Sequence, residues 1–319
     1  MFTMMLGVVR RAILPLILAN LVLATFATNA AESPSHSLLF KPWTNGVSAG
    51  EPQMQVQRYD EDTYVIRQSI RTNFEGPFLY VLFGTDHALL IDTGAGGLKV
   101  RPTIDRVINE WAVRHHRTSI HLIVAHSHSH GDHHQGDAEF QDRPDTTVVG
   151  LYPKDVADFF KIADWPNQIV PHDLGGRVLD IIPTPGHQSA HIMMFDRNTR
   201  LLFSGDSLGP YRLYIPMNEA KTYRDSINRV AAFTKDLHVS WILGAHIEMT
   251  TKPGGLIPDG ARKHPDEHVL EISCSNLPEL QTALNAMGDN LVQQAHRDFV
   301  IFPKPAREPQ PFAPPIPPR

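Results

Sequence analysis

The sequence predicts an α/β chain folded as a four-layer αββα sandwich with a metal site at one edge. Three observations carry that expectation. Apolar runs of strand length crowd the first half and return in the second, with helical stretches between them. A cluster of imidazoles and a carboxylate, Ser127-His128-Ser129-His130-Gly131-Asp132-His133-His134, follows directly on one such run, Leu122-Ile123-Val124-Ala125. His187, Asp206 and His246 then stand downstream, each close behind a further run.

Residues 1–30 read as an export signal. Arg10 and Arg11 precede a mostly apolar stretch over 12–27, and the small residues Thr28, Ala30 and Ala31 follow. The stretch is shorter than the roughly 20 residues of a spanning helix, and Pro15 and Asn20 interrupt it. Membrane association is therefore expected only through an uncleaved signal, if at all, and the location is periplasmic or secreted. Cleavage near Ala30 or Ala31 leaves about 288 residues, enough for one α/β domain with a sizeable core. Removing Arg10 and Arg11 takes the formal charge from −5 to −7. A mildly acidic chain without a basic run argues against a nucleic-acid partner and for a small-molecule substrate. The single cysteine, Cys274, cannot form an internal disulfide. No feature fixes an oligomeric state.

Along the mature chain, 31–57 is polar and irregular, with Pro34, Pro42, Pro52, Gly46 and Gly50. Strands are predicted at 64–66, 78–83 and 88–91. Ile104, Val107, Ile108 and Trp111 give 101–117 a helical period, which His115 and His116 close. The strand 122–125 delivers the imidazole cluster, and a helix starts after Asp132. A strand at 147–149 and a helix at 153–162 come next, then strands at 178–182, 191–195 and 201–203. A helix over 223–237 leads into the strand 241–243. The catalytic domain is thus placed at 31–262, with a helical extension at 263–302. One long helix over 277–299 puts Leu280, Leu284, Met287 and Leu291 on the face that packs against the sandwich, with Asn276 as its cap. His264 and His268, around Pro265, read as solvated, and Cys274 as a half-buried strand thiol. Residues 303–319 hold eight prolines in seventeen positions, a polyproline-like tail without a catalytic role.

Residues two apart in an extended segment point the same way, so His128 and His130 can grip one ion, while Asp132 and His133 begin the next turn. The segment 127–136 resembles the Thr-His-x-His-x-Asp-His-x-Gly-Gly motif of the metallo-β-lactamase fold superfamily, with Ser127 in place of Thr and Gln135 in place of the first Gly. His126 cannot take the first position, because residue 130 would then have to be Asp. Thr184-Pro185-Gly186-His187, Leu202-Phe203-Ser204-Gly205-Asp206-Ser207-Leu208 and Gly244-Ala245-His246 resemble the family's later metal motifs, and Leu90-Ile91-Asp92-Thr93-Gly94 a further familiar element. The resemblance spans roughly 60–250.

That resemblance implies a first metal on His128, His130 and His187, a second on Asp132, His133 and His246, and Asp206 bridging them. It implies two zinc ions (Zn2+) per chain, with iron or manganese as the other candidates. The implied activity is hydrolysis of an ester, thioester, lactone or β-lactam by a metal-bridging hydroxide, with Asp132 orienting it and relaying its proton. Glyoxalase II, lactonase and β-lactamase branches share these ligands in whole or in part. The Gly-Cys-Gly-Arg segment of glyoxalase II is replaced by Gly209-Pro210-Tyr211-Arg212-Leu213-Tyr214. The alternative activity is that of a non-haem iron oxidoreductase such as a persulfide dioxygenase. Retention of His133 and His246 counts against its mononuclear form. Asp92 either holds a ligand imidazole or caps a turn. His191 is expected as a structural support rather than an eighth ligand, and His134 faces away. Tyr211 and Trp165 are expected as substrate walls, a hydroxyl for the developing oxyanion and an indole over an apolar group.

Overall fold

The computed structural model describes Met1 and residues 39–306. The export signal expected at 1–30 and the tail from residue 307 lie outside the described residues. Apolar runs of about five residues form strands in two sheets. In the first, β1 (Met54–Arg58), β2 (Thr63–Gln68), β3 (Phe78–Phe83), β4 (His87–Ile91), β5 (His121–Ala125) and β6 (Thr146–Val148) lie side by side in chain order. Pairing is antiparallel from β1 to β4 and parallel from β4 to β6. The second sheet contains β7 (Val170–Asp173), β8 (Val178–Pro183), β9 (Ile192–Asp196), β10 (Leu201–Gly205), β12 (Trp241–Gly244) and β13 (Glu271–Ile272), in the order β13-β12-β10-β9-β8-β7. A small third sheet joins β11 (Arg212–Pro216), β15 (Val300–Lys304) and β14 (Gln294–Ala295).

All six residues of β3 are buried, as expected of a strand covered on both faces. Between the sheets, Val65, Tyr80, Leu89 and Ile123 meet Ile181, Met194, Phe203 and Leu243. The outer face of the first sheet is covered by α1 (Arg101–Arg114), whose Ile104, Val107, Ile108 and Trp111 pack against Ile66, Leu79, Leu90 and Val124. The short helices α2 (Gly131–His134) and α3 (Pro153–Phe160) follow β5 and β6. On the far side, α4 (Ala220–Thr234) and α5 (Asn276–Met287) pack Ile227, Val230, Leu280 and Leu284 against Ile182, Phe195, Leu202 and Ile242. The four αββα layers are therefore present. Full burial of each such side chain contributes roughly 1.5–3 kcal/mol, so packing holds α5 in place more than helix propensity does.

The carboxyl-terminal extension differs from the expectation. The helix stops at Met287, where Gly288 takes φ 62° and its N–H donates to Leu284 O. Gly-Asp-Asn at 288–290 breaks the helix, and the β-favouring Val300-Ile301-Phe302 forms a strand. Leu291 is still buried in the core, but from a loop. Pro303 and Lys304, expected in the tail, complete β15. Pro303 is tolerated because β14 pairs only with Val300 and Ile301 and has ended before it. Asn276 is the first helical residue rather than the cap, and its Nδ2 donates to Ser273 O and Asp298 Oδ2. β1, within the stretch expected to be irregular, pairs with β2 through the half-buried Met54 and Val56.

Three side chains also differ from the expectation. Cys274 is exposed, since β13 ends at Ile272. His264 is buried, with Nδ1 2.8 Å from Glu267 Oε1, beside the bidentate pairing of Arg67 with Glu267. His268 is half-buried against Asp298.

Candidate metal centre

The site assembles where five strands end. Asp92 follows β4, Ser127 and His128 follow β5, His187 follows β8, Asp206 follows β10 and His246 follows β12. β10 runs parallel to β12, and β9 is antiparallel to both β8 and β10, so β8, β10 and β12 point their carboxyl ends the same way. Two glycines are sterically required. A Cβ on Gly186 (φ 133°) would lie 2.5 Å from Tyr223 Cα, and one on Gly205 (φ 52°) 2.8 Å from Ser127 Cβ.

The seven expected ligands converge in two groups that share Asp206, with the donor atoms of each group within 4.8 Å of one another. In the first, His130 Nδ1 lies 2.9 Å from His128 Nε2 and 3.0 Å from His187 Nε2. Asp206 Oδ2 is 3.4 Å from His187 Nε2 and 3.7 Å from His128 Nε2. In the second, His133 Nε2 and His246 Nε2 are 3.3 Å apart, and Asp132 Oδ2 is 3.2 Å from each. Asp206 Oδ1 completes that group at 3.5 and 3.4 Å. Tetrahedral zinc with Zn–N bonds of about 2.0–2.1 Å separates its nitrogen ligands by about 3.4 Å, close to what these donors show.

The surrounding hydrogen bonds dictate which nitrogen faces inward. His133 Nδ1 donates to Asp92 Oδ2 at 2.9 Å, His187 Nδ1 to Tyr214 O at 2.9 Å and His246 Nδ1 to Glu75 O at 2.9 Å. Each Nε2 then faces the others, an arrangement that needs positive charge among them, either a cation at the centre or protons on the rings. Asp206 Oδ1 is buried without a hydrogen-bond partner, which fits the same need.

The protonation preferences agree. Burial disfavours charge on His246, yet Asp206 and Asp132 outweigh it and raise the ring to about 10. Burial would raise the Asp206 and Asp132 carboxyls, but His133 and His246 hold both below the usual carboxylate range. The pocket calls for positive charge. Residues and geometry thus fit a pair of metal ions.

The supporting residues are now identifiable. Asp92, at φ 66°, accepts from Ser127 N at 2.7 Å and Ser127 Oγ at 2.9 Å besides His133, so it both caps the turn and orients the His133 ring. His191 is buried and kept neutral first by burial and then by neighbouring imidazoles. Its Nε2 accepts from Asp206 N at 3.2 Å while Nδ1 lies 2.8 Å from Thr184 Oγ1, so it fixes the Asp206 backbone and joins neither ligand group. His126 is likewise outside both groups, 2.9 Å from Asp137. Gly46-Val47-Ser48-Ala49-Gly50 matches the Gly-x-Ser-x-Gly pattern of serine hydrolases, but it is a loop ahead of β1 rather than a strand-to-helix elbow.

A cleft of about 450 Å3 opens over the ligands. Trp165 does not line it and packs, half-buried, against the core between the sheets. Tyr211 reaches the cleft wall, but its ring is buried and its hydroxyl donates to Gly205 O at 2.5 Å. That donor is already engaged under the Asp206 turn, which corrects the oxyanion role. Tyr211→Phe is therefore expected to lower stability by about 1–3 kcal/mol in chemical denaturation, with kcat on any verified substrate falling less than about 10-fold. A larger loss of kcat at unchanged stability would restore the oxyanion role.

The tyrosine facing the cleft is Tyr214. Leu213 and Ile215 enter the core, so the alternate residues Arg212, Tyr214 and Pro216 face the cleft. The period-two pattern over 211–216 was present in the sequence and would have separated Tyr211 from Tyr214. Glu75, Glu248 and Lys304, also on the wall, carry no motif. Burial, helped by Asp132, Glu248 and Asp206 against His246, raises the Glu75 carboxyl to about 7.

Comparison with known proteins adds the following. The family model of the metallo-beta-lactamase superfamily matches residues 73–246. The chain is similar to the hydroxyacylglutathione hydrolase of Rhizobium meliloti (strain 1021), with 30% identity over 166 residues. That match covers 48% of this chain and 59% of the relative, less than two thirds of the relative's length. A metallo-beta-lactamase from Pontibacter korlensis is 16% identical, covering 73% of this chain and 99% of that one, with a TM-score of 0.48. ETHE1 from Myxococcus xanthus is 19% identical, covering 56% of this chain and 74% of that one, with a TM-score of 0.39.

Proposed function

The chain belongs to the metallo-beta-lactamase superfamily, and we propose that it is a dinuclear, zinc-dependent hydrolase of a carbonyl-type bond in a small molecule. The observation that carries this reading is the pair of donor groups joined by Asp206. Similarity to a hydroxyacylglutathione hydrolase supports the hydrolytic class. When bound, such ions supply a Lewis acid and a water acidified towards neutral pH.

The chain's own residues supply the rest. His128, His130 and His187 hold one position, and Asp132, His133 and His246 the other. Asp206 spans both with its two oxygens, and its charge offsets repulsion between dications. Asp92, Tyr214 O and Glu75 O keep three imidazoles in the required tautomer. Asp132 lines the cleft and is held ionised by His133 and His246, so it accepts a hydrogen bond from the attacking water and orients it. The cleft admits a small molecule and leaves the scissile bond at the metal edge. Export to the periplasm or beyond completes the proposal, and a mature amino terminus near residue 31 is its mark.

A panel of thioesters, lactones, a β-lactam, aryl esters and a phosphodiester, assayed with zinc-loaded protein, tests the reading. Hydrolysis of at least one carbonyl substrate, abolished by chelation and restored by zinc, is expected. No carbonyl turnover, together with one iron per chain, would replace it with the non-haem iron oxidoreductase.

A further inference from the structure

The cleft has one wall that the metal motifs do not supply. In the parallel register of β11 and β15, Tyr214 pairs with Phe302 and Pro216 with Lys304. This brings Lys304, far beyond the residues that match the family model, to the cleft. Lys304 Nζ sits 4.2 Å from the centroid of the Tyr214 ring and 5.5 Å from that of Phe302. Two aromatic faces thus hold an exposed ammonium in place.

The other cation of the wall is already engaged. Arg212 Nη1 is 3.3 Å from Glu248 Oε2, its backbone N donates to the same oxygen at 2.9 Å, and Nη2 donates to Ile257 O at 2.6 Å. Lys304 makes no ion pair among the described residues. The carboxyl groups of Glu75, Asp132 and Asp206 also line the cleft, so of its Lys and Arg side chains Lys304 is the one left, among the described residues, to receive an anion.

We propose that Lys304 is a specificity residue that binds an anionic group of the carboxylate class on the substrate, at the β15 wall, while the scissile carbonyl lies over the metal ligands. This rests on the hydrolase reading for its catalytic context only. An ammonium held on two rings loses little freedom on binding an anion, which favours selection at this point. Bound dications on the floor of the cleft would attract the same sign of substrate.

The test compares two aryl esters with one leaving group, a glutarate monoester and a neutral butyrate, on metal-loaded protein. The ratio of their kcat/KM values, anionic over neutral, is expected to be roughly tenfold or more. Lys304→Met should collapse the ratio towards one, and Lys304→Arg should retain most of it. In parallel, calorimetry measures glutarate and butyrate binding without turnover, and Lys304→Met should erase the preference for glutarate. A ratio, or a glutarate preference, that Lys304→Met leaves unchanged overturns the proposal, whether or not the esters are hydrolysed. A lysine-dependent glutarate preference without ester turnover keeps the subsite and removes aryl esters from the substrate range, the hydrolase reading being decided by the panel above.

Discussion

His128→Ala is expected to lower kcat/KM by about 10^3-fold or more on any substrate the protein hydrolyses. Loss of a group that merely orients a metal ligand costs about 10–100-fold, and His128 is a donor itself, with Nε2 2.9 Å from His130 Nδ1. The side chain is fully buried at the end of β5, so truncation also leaves a cavity, at a cost of about 2–4 kcal/mol. The sandwich should still form, because both sheets pack through residues away from this edge. Circular dichroism reads the fold, elemental analysis the metal, and steady-state kinetics the activity. Near-normal turnover with a normal metal content would remove His128 from the ligand set.

Asp206→Asn carries the second large effect. It keeps the volume but removes the charge between the two donor groups, and it gives one group an amide N–H in place of a lone pair. Two dications about 4 Å apart repel by on the order of 10 kcal/mol at an effective dielectric of about 20. Without the shared carboxylate, simultaneous occupancy becomes unfavourable. The metal-to-protein ratio is expected to fall from about two towards one. An unchanged ratio would show that Asp206 bridges nothing.

The two groups of donor residues were legible because their geometry is local. His128, His130, Asp132 and His133 occupy six consecutive positions at the mouth of a buried strand, and His187, Asp206 and His246 each follow a strand closely. The αββα layers were legible for a related reason, since β3, β4 and β5 are continuous apolar runs and α1 has a clear helical period. The substrate wall was not legible in the same way. Trp165 stands in a turn-rich stretch that reads as a pocket wall, and packing sets it half-buried against the core instead. Tyr211, just ahead of β11, is buried with its hydroxyl on Gly205 O, whereas Tyr214 faces the cleft from within the strand, and packing decides between them.

The carboxyl-terminal region was harder still. Leu280, Leu284, Met287 and Leu291 keep a helical period across Gly288, so the pattern ran on where the backbone turns. β15 is then recruited by long-range pairing with β11, which no local signal reports. The same pairing delivers Lys304 to the cleft. His264 read as solvated because its partners, Glu267 and through it Arg67, come together only when the loop closes on β2.

Elemental analysis of the freshly purified chain tests the shared-carboxylate metal pair most directly. About two zinc ions per chain are expected, lost together with hydrolytic activity on chelation and regained together on readdition. A single iron per chain, or full hydrolytic activity in metal-free protein, would contradict it.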